Sequence, residues 1–239
     1  MRFEHLNLKP GMRVLDVGCG GGRHIRQTRM IPGIVSIGLD LGKKEVADTA
    51  KMLRELDALP TQYGGAVPGA GPWASMRGSV YSLPFKDEAF DCVIISEVLE
   101  HLHEDERALT EISRVLKRGG VLAASVPREG PEAVCWALSE DYRNWPGGHI
   151  RIYKRDELKR KLQKHGYDVY ASHFAHALHS PYWWLKCLRG LKHEEDSLVK
   201  LYHRLLVWDM MRRPALTRAL EAVLQPVIGK SVVFYGIKS

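Results

Sequence analysis

The residues best suited to chemistry begin with the run Val14-Leu15-Asp16-Val17-Gly18-Cys19-Gly20-Gly21-Gly22. Glycines directly after an apolar stretch let the backbone turn sharply and approach a ligand with no Cβ in the way. A helix opening just beyond them adds unpaired N–H groups. Asp40 lies 20 residues past Gly20, the spacing at which dinucleotide-binding enzymes carry an acid for a ribose diol. The same residue would also serve as a helix N-cap. Taken alone, the glycine turn is equally compatible with a nicotinamide or flavin enzyme. A second group of candidates can move protons. His149 follows Pro146-Gly147-Gly148, a turn able to swing an imidazole whose proton is mobile near neutral pH. Arg151 and Tyr153 follow on the same side of an extended segment and could hold an acceptor phosphate or hydroxyl. Glu97 and His101 are the other candidate bases.

These groups need a scaffold, and the pattern supplies one. Met12–Val17, Ile34–Leu39, Arg77–Val80, Phe90–Ser96 and Val121–Val126 read as strands. His24–Met30, Lys43–Leu59 and Glu104–Leu116 read as helices between them, with Pro60–Ser75 a loop and Lys117-Arg118-Gly119-Gly120 a helix stop. Strands separated by helices make βαβ units and a parallel, twisted sheet. Beyond residue 150 the pattern predicts a helix over Asp156–His165, a strand over Tyr167–Phe174, and helices over Pro181–Leu191, 194–213 and Ala215–Leu224. Pro214 and Pro226 punctuate the helices, and a last strand covers Ser231–Ile237. Three helices between the final two strands exceed what a crossover needs. They predict a cap at 175–230, laid over the mouth of the cleft, on a core of 1–174 plus 231–239.

The order of Asp16-Val17-Gly18-Cys19-Gly20, Asp40, Leu83-Pro84-Phe85, Phe90-Asp91-Cys92-Val93, Glu97-Val98-Leu99-Glu100-His101 and Leu116-Lys117-Arg118-Gly119-Gly120 resembles the class I S-adenosylmethionine-dependent methyltransferases, particularly their small-molecule branch. The likeness covers about residues 10–130, with a weaker echo at Gly148-His149-Ile150-Arg151-Ile152-Tyr153. It implies an α/β three-layer sandwich with a mostly parallel, seven-stranded Rossmann-like sheet whose last strand is antiparallel. It implies S-adenosylmethionine as cofactor and S-adenosylhomocysteine as product. By position, Asp16, Gly18, Cys19 and Gly20 would hold the methionine part, with Asp16 toward its ammonium and glycine N–H groups toward its carboxylate. Asp40 would take the ribose, Leu41 the adenine face and Ser79 the adenine amino group, where many relatives have Asp. Glu97 would border the sulfonium and the acceptor. Transfer of this kind is an in-line displacement that rests mainly on alignment, with a base for a hydroxyl acceptor.

Charge and composition bear on the acceptor. Residues 1–130 hold 17 Lys and Arg against 17 Asp and Glu, whereas 131–239 hold 18 against 11, so the net +7 lies wholly in the second part. Five of the six Trp lie there too. Around Trp183 and Trp184, Leu185, Leu188 and Leu191 alternate with Lys186, Arg189 and Lys192. Such a segment suits a lipid or glycan acceptor, or peripheral contact with a membrane surface. Ser96-Glu97-Val98-Leu99 lacks the Pro-Pro-Tyr type of tetrapeptide and so argues against a nucleobase acceptor. His173, His176 and His179 are evenly spaced, but no acid or Cys accompanies them, and no metal is expected. No apolar run reaches the ~18 residues of a membrane span. Without an apolar leader or paired cysteines, the expectation is a cytoplasmic protein. The leading expectation is O-methylation of a bulky small molecule: a glycan, a lipid-linked sugar or a natural product. Alternatives are C-methylation of a quinone or isoprenoid-like acceptor, a non-catalytic cofactor-binding subunit, and a nicotinamide enzyme on the same fold.

Overall fold

The computed structural model describes residues 1–191, 196–212 and 214–239. The chain runs β1 (Arg13–Val17), α1 (Arg23–Thr28), β2 (Val35–Asp40), α2 (Lys43–Ala58), β3 (Trp73–Arg77), β4 (Phe90–Ser96), α3 (Asp105–Val115) and β5 (Leu116–Pro127). It continues through α4 (Glu129–Leu138), α5 (Glu140–Arg143), α6 (Arg155–Lys164), β6 (Tyr167–Ala175), α7 (His179–Arg189), α8 (Ser197–Arg212), α9 (Ala215–Ile228) and β7 (Ser231–Lys238). All seven strands form one sheet in the order β3-β2-β1-β4-β5-β7-β6. The first five pair in parallel and the last strands run antiparallel, with helices flanking the sheet. This is the architecture that the resemblance implied.

Burial explains the strand patterns. β1 and β4 lie mid-sheet, covered on both faces, so Val14, Leu15, Val93, Ile94 and Ile95 form uninterrupted apolar runs that are almost wholly buried. β3 is the edge strand, and its residues are only half-buried or exposed. That corrects the predicted position: the strand lies at Trp73–Arg77, not Arg77–Val80, because a half-covered edge needs no apolar run and Trp73-Ala74-Ser75 reads as loop. β5 begins at Leu116, directly after α3, rather than at Val121; Leu116 pairs with Phe90, and an irregularity between Phe90 and Cys92 absorbs the extra residues. α9 continues past Pro226 to Ile228, since a proline in the last turn removes only one hydrogen bond near the end of the ladder. α4 and α5 have no counterpart in the sequence reading. Lys192 and the ends of the predicted 194–213 helix (194, 195 and 213) lie outside the described residues.

The chain divides into two compact units. One comprises 1–125, 159–171 and 234–239; the other comprises 126–158 and 172–233. In the second, α7 packs against α4 and α8. No described helix is long and apolar enough to cross a membrane.

Candidate functional site

In the first unit the sheet order places β2 on one side of β1 and β4 on the other. The chain leaves β1 toward opposite sides at this point, and such a switch opens a crevice beyond the carboxyl ends of the strands. Every predicted cofactor residue lies at those ends. Asp16 is the penultimate residue of β1, opposite Gly38 and Ile94; Asp40 closes β2; Ser79 follows β3; Glu97 follows β4.

The glycine turn is braced from β2. The N–H groups of Gly18 and Cys19 both donate to the Leu39 carbonyl, at 2.8 and 3.1 Å. Gly20 N–H donates to Asp40 Oδ2 and Gly42 N–H to Asp40 Oδ1, each at 2.9 Å. These bonds hold the shape of the turn, and the N–H groups of all three residues 18–20 take part. Asp40 therefore ties two loops together, while each carboxylate oxygen retains a second lone pair. Gly18 and Gly20 both have positive φ (+70° and +50°), yet their surroundings differ. A Cβ on Gly18 would meet Val98 Cγ2 at 2.4 Å, whereas one on Gly20 would meet no described atom within 4 Å. Gly18 is needed for packing against the end of β4; Gly20 faces open room.

Asp16 is 1% exposed, and neither of its carboxylate oxygens accepts a hydrogen bond from any described residue. His24 Nδ1 lies 3.5 Å from Oδ1. A buried charge without donors is costly. Cys19 is also buried, and desolvation, followed by the Asp16 charge, pushes its thiol up to about 12, so it stays protonated. Leu41 is 67% exposed beside Asp40. Ser79 is half-buried and its hydroxyl accepts the Tyr81 N–H at 3.2 Å. Glu97 adopts φ +54°, an uncommon conformation for a residue with a side chain. Two bonds to Ser125 hold it there: Glu97 N–H to the Ser125 carbonyl and Ser125 Oγ to Glu97 Oε1, both at 2.9 Å. His101 ends a short 3-10 turn, Leu99–His101, with Nε2 3.9 Å from Glu100 Oε1.

The remaining candidates lie in the second unit. His149 Nδ1 sits 2.6 Å from Glu132 Oε1. Glu132, on α4, is 1% exposed; its Oε2 accepts the Tyr142 hydroxyl at 3.3 Å and lies 3.6 Å from Lys230 Nζ. Burial alone would push this carboxyl up, but the His149 bond, the Lys230 charge and the Tyr142 bond together outweigh it and hold Glu132 below the ordinary glutamate range. Burial and the Glu132 charge push the Tyr142 hydroxyl up, so it remains a donor. A proton carried on Nδ1 toward Glu132 would leave Nε2 as the accepting atom of the ring. His149 also lines a cavity of about 270 Å³ with Trp136, Arg143, Asn144, Trp145 and Gly148.

Arg151 places its guanidinium 5.9 Å from the centre of the Tyr153 ring, and Tyr153 is itself 1% exposed, a packing position behind the arginine. Trp183 and Trp184 are half-buried on α7. Trp183 contacts the Tyr142 ring at 5.8 Å and lies under Lys186 and Lys230; Trp184 Nε1 donates to the Pro131 carbonyl at 3.0 Å. Glu132 and Tyr142 escaped the sequence reading because 129–145 was assigned no element. The available signal was acids at Glu129 and Glu132 in a helix's first turn, and Ser139 as an N-cap, which accepts the Tyr142 N–H.

Two family profiles described as methyltransferase domains match residues 15–124 and 76–173. Sterol 24-C-methyltransferase of Yarrowia lipolytica is 28% identical over 183 residues, 70% of this chain and 44% of that protein. O-methyltransferase resE of Aspergillus sclerotiorum is 34% identical over 118 residues, 49% of this chain and 40% of that protein. The chain thus spans less than half the length of these curated relatives. A solved geranyl diphosphate methyltransferase in complex with S-adenosylmethionine superposes with a TM-score of 0.63 at 14% identity, covering 99% of this chain and 82% of that one. With one profile or the other matched from β1 into β6, and a sheet of the same fold around the glycine turn, the chain belongs to the class I S-adenosylmethionine-dependent methyltransferases.

Proposed function

We propose that the chain methylates an oxygen of a hydroxyl-bearing small molecule, a glycan, lipid-linked sugar or natural product, with His149 taking the proton. The observation that carries the oxygen acceptor is the 2.6 Å contact between His149 Nδ1 and the buried Glu132. A carboxylate behind an imidazole fixes its tautomer and strengthens its far nitrogen as a base, which a hydroxyl acceptor needs.

S-adenosylmethionine, when bound, supplies a methyl group on a positively charged sulfur. The residues of the first unit fit it. Asp16, an acid buried with no hydrogen bond from any described residue, suits the ammonium of the methionine arm. The room beside Gly20 suits a ligand backbone, and the second lone pairs of Asp40 suit ribose hydroxyls. Leu41 would cover the adenine, Ser79 would meet its amino group, and Glu97 would border the reacting sulfur. In the second unit, His149 Nε2 would take the acceptor proton while Nδ1–H stays on Glu132, and Arg151 would hold a polar group of the acceptor. We assign acceptor recognition to this unit, including the 175–230 segment with Trp183 and Trp184. His101 stands as an alternative base. A carbon acceptor of isoprenoid type is the second reading, supported by the name of the Yarrowia relative.

His149→Ala tests the proposal. Turnover, read as S-adenosylhomocysteine formation over a panel of hydroxylated and isoprenoid acceptors, should fall ~10²–10⁴-fold, the usual contribution of a general base. Affinity for S-adenosylhomocysteine by calorimetry should stay unchanged. Turnover within a few-fold of the parent, or turnover confined to isoprenoid carbon, removes the oxygen reading.

A further inference from the structure

The sequence placed membrane contact at Trp183 and Trp184, but those side chains are half-buried in packing. Most of the exposed large apolar side chains described in the second unit lie on α8 and α9 instead. On α9, Leu216, Leu220, Val223 and Val227 recur at helical spacing, and they are 81%, 47%, 74% and 70% exposed. None of the helix's residues is fully buried, and the half-covered positions include the polar Thr217, Glu221 and Gln225. The helix is amphipathic with its apolar stripe turned outward. α8 does the same: Val199 and Leu206 are buried, while Leu198, Leu201, Leu205 and Trp208 form a second exposed stripe. Exposed apolar stripes of this kind mark interaction surfaces.

We propose that the outward apolar stripes of α8 and α9 dock on an anionic lipid surface. The rim chemistry selects this occupant. Lys200, Arg204 and Arg212 on α8 and Arg218 on α9 are exposed, and Arg204 and Arg212 lie nearest the α8 stripe by helical spacing. The acids of the two helices, Asp209 and Glu221, are half-buried, and Asp209 accepts the Thr217 hydroxyl. A second copy would bring one basic rim against another, which costs energy, whereas anionic headgroups neutralise it. Helices of 16 and 14 residues are too short to span. With apolar residues on one side and Lys and Arg at its edges, such a pair lies in the plane of the interface.

The test is flotation of the full chain with phosphatidylcholine vesicles with and without phosphatidylglycerol, at low and high salt. Binding should require phosphatidylglycerol, weaken with salt, and fall at least about tenfold in the double variant Leu220→Glu, Val223→Glu. Both positions are exposed, so the melting temperature should hold. Arg204→Glu with Arg212→Glu should weaken binding while leaving the apolar stripes intact. Binding that ignores these variants, or no binding to phosphatidylglycerol vesicles, overturns the proposal. So does a dimer by light scattering that Leu220→Glu dissociates, because a second copy then covers the face.

Discussion

Two carboxylates, one in each unit, are equally buried at 1% exposure and are treated in opposite ways. Glu132 is surrounded by His149, Tyr142 and Lys230. Asp16 accepts no hydrogen bond from any described residue and has only His24 at 3.5 Å. A buried acid with its partners in place is a finished structural element, and its work is to orient what it touches. A buried acid left without donors has no such structural account, and the proposed function gives it the ammonium of the cofactor to meet. The first unit thus carries an unfinished electrostatic arrangement, and the second a finished one.

If that contrast holds, Glu132→Gln should cost activity through its neighbour. Loss of a supporting carboxylate typically lowers activity ~10–100-fold, and here kcat should fall with S-adenosylhomocysteine affinity unchanged. Stability should fall as well, and its pH dependence has a definite sign. Glu132 is held below its usual range, so its contribution is complete above the ordinary glutamate value of ~4.3 and is lost as pH falls through the lower folded value. The melting-temperature gap between parent and Glu132→Gln should therefore be constant near neutrality and close under acid conditions. A gap that widens in acid would contradict the assignment.

Asp40→Ala comes next, costing about 1–3 kcal/mol of S-adenosylhomocysteine affinity. Because Asp40 also braces Gly20 and Gly42, the melting temperature of the ligand-free protein should drop too. A binding loss with no stability loss would mean the brace is idle. The smallest effects separate two glycines. Gly18→Ala forces a Cβ to 2.4 Å from Val98 Cγ2 and should lower stability by about 1–3 kcal/mol. Gly20→Ala meets open room and should cost only about 1 kcal/mol for its positive φ. Its larger consequence should be weaker cofactor binding, seen by calorimetry.

The first unit was the more legible in sequence, for a physical reason. Strands buried on both faces, such as β1 and β4, carry apolar runs through their centres, and the turn after β1 must be glycine where Val98 approaches. Those demands write themselves into local residue types. β3 was misplaced because an edge strand makes no such demand. Glu132 was invisible because its meaning comes from His149, 17 residues away, and Lys230, 98 residues away; no local pattern encodes those pairings. The same holds for the outward stripes of α8 and α9. Their periodicity predicts helices with an apolar face, and only the packing reveals that the face is uncovered. His149 was found from its glycine turn, but the carboxylate behind it required the fold.

Asp16→Asn tests the central contrast most directly, measured as S-adenosylhomocysteine affinity by calorimetry beside the melting temperature of the ligand-free protein. The amide keeps the shape and removes the charge. Affinity should fall about 10–100-fold, the worth of a hydrogen-bonded charge, while the ligand-free protein should melt no lower, because the buried carboxylate accepts no hydrogen bond from a described residue that the amide would forfeit. Unchanged affinity together with a lower melting temperature would contradict the account. Asp16 would then be a structural acid like Glu132, with no cation to await.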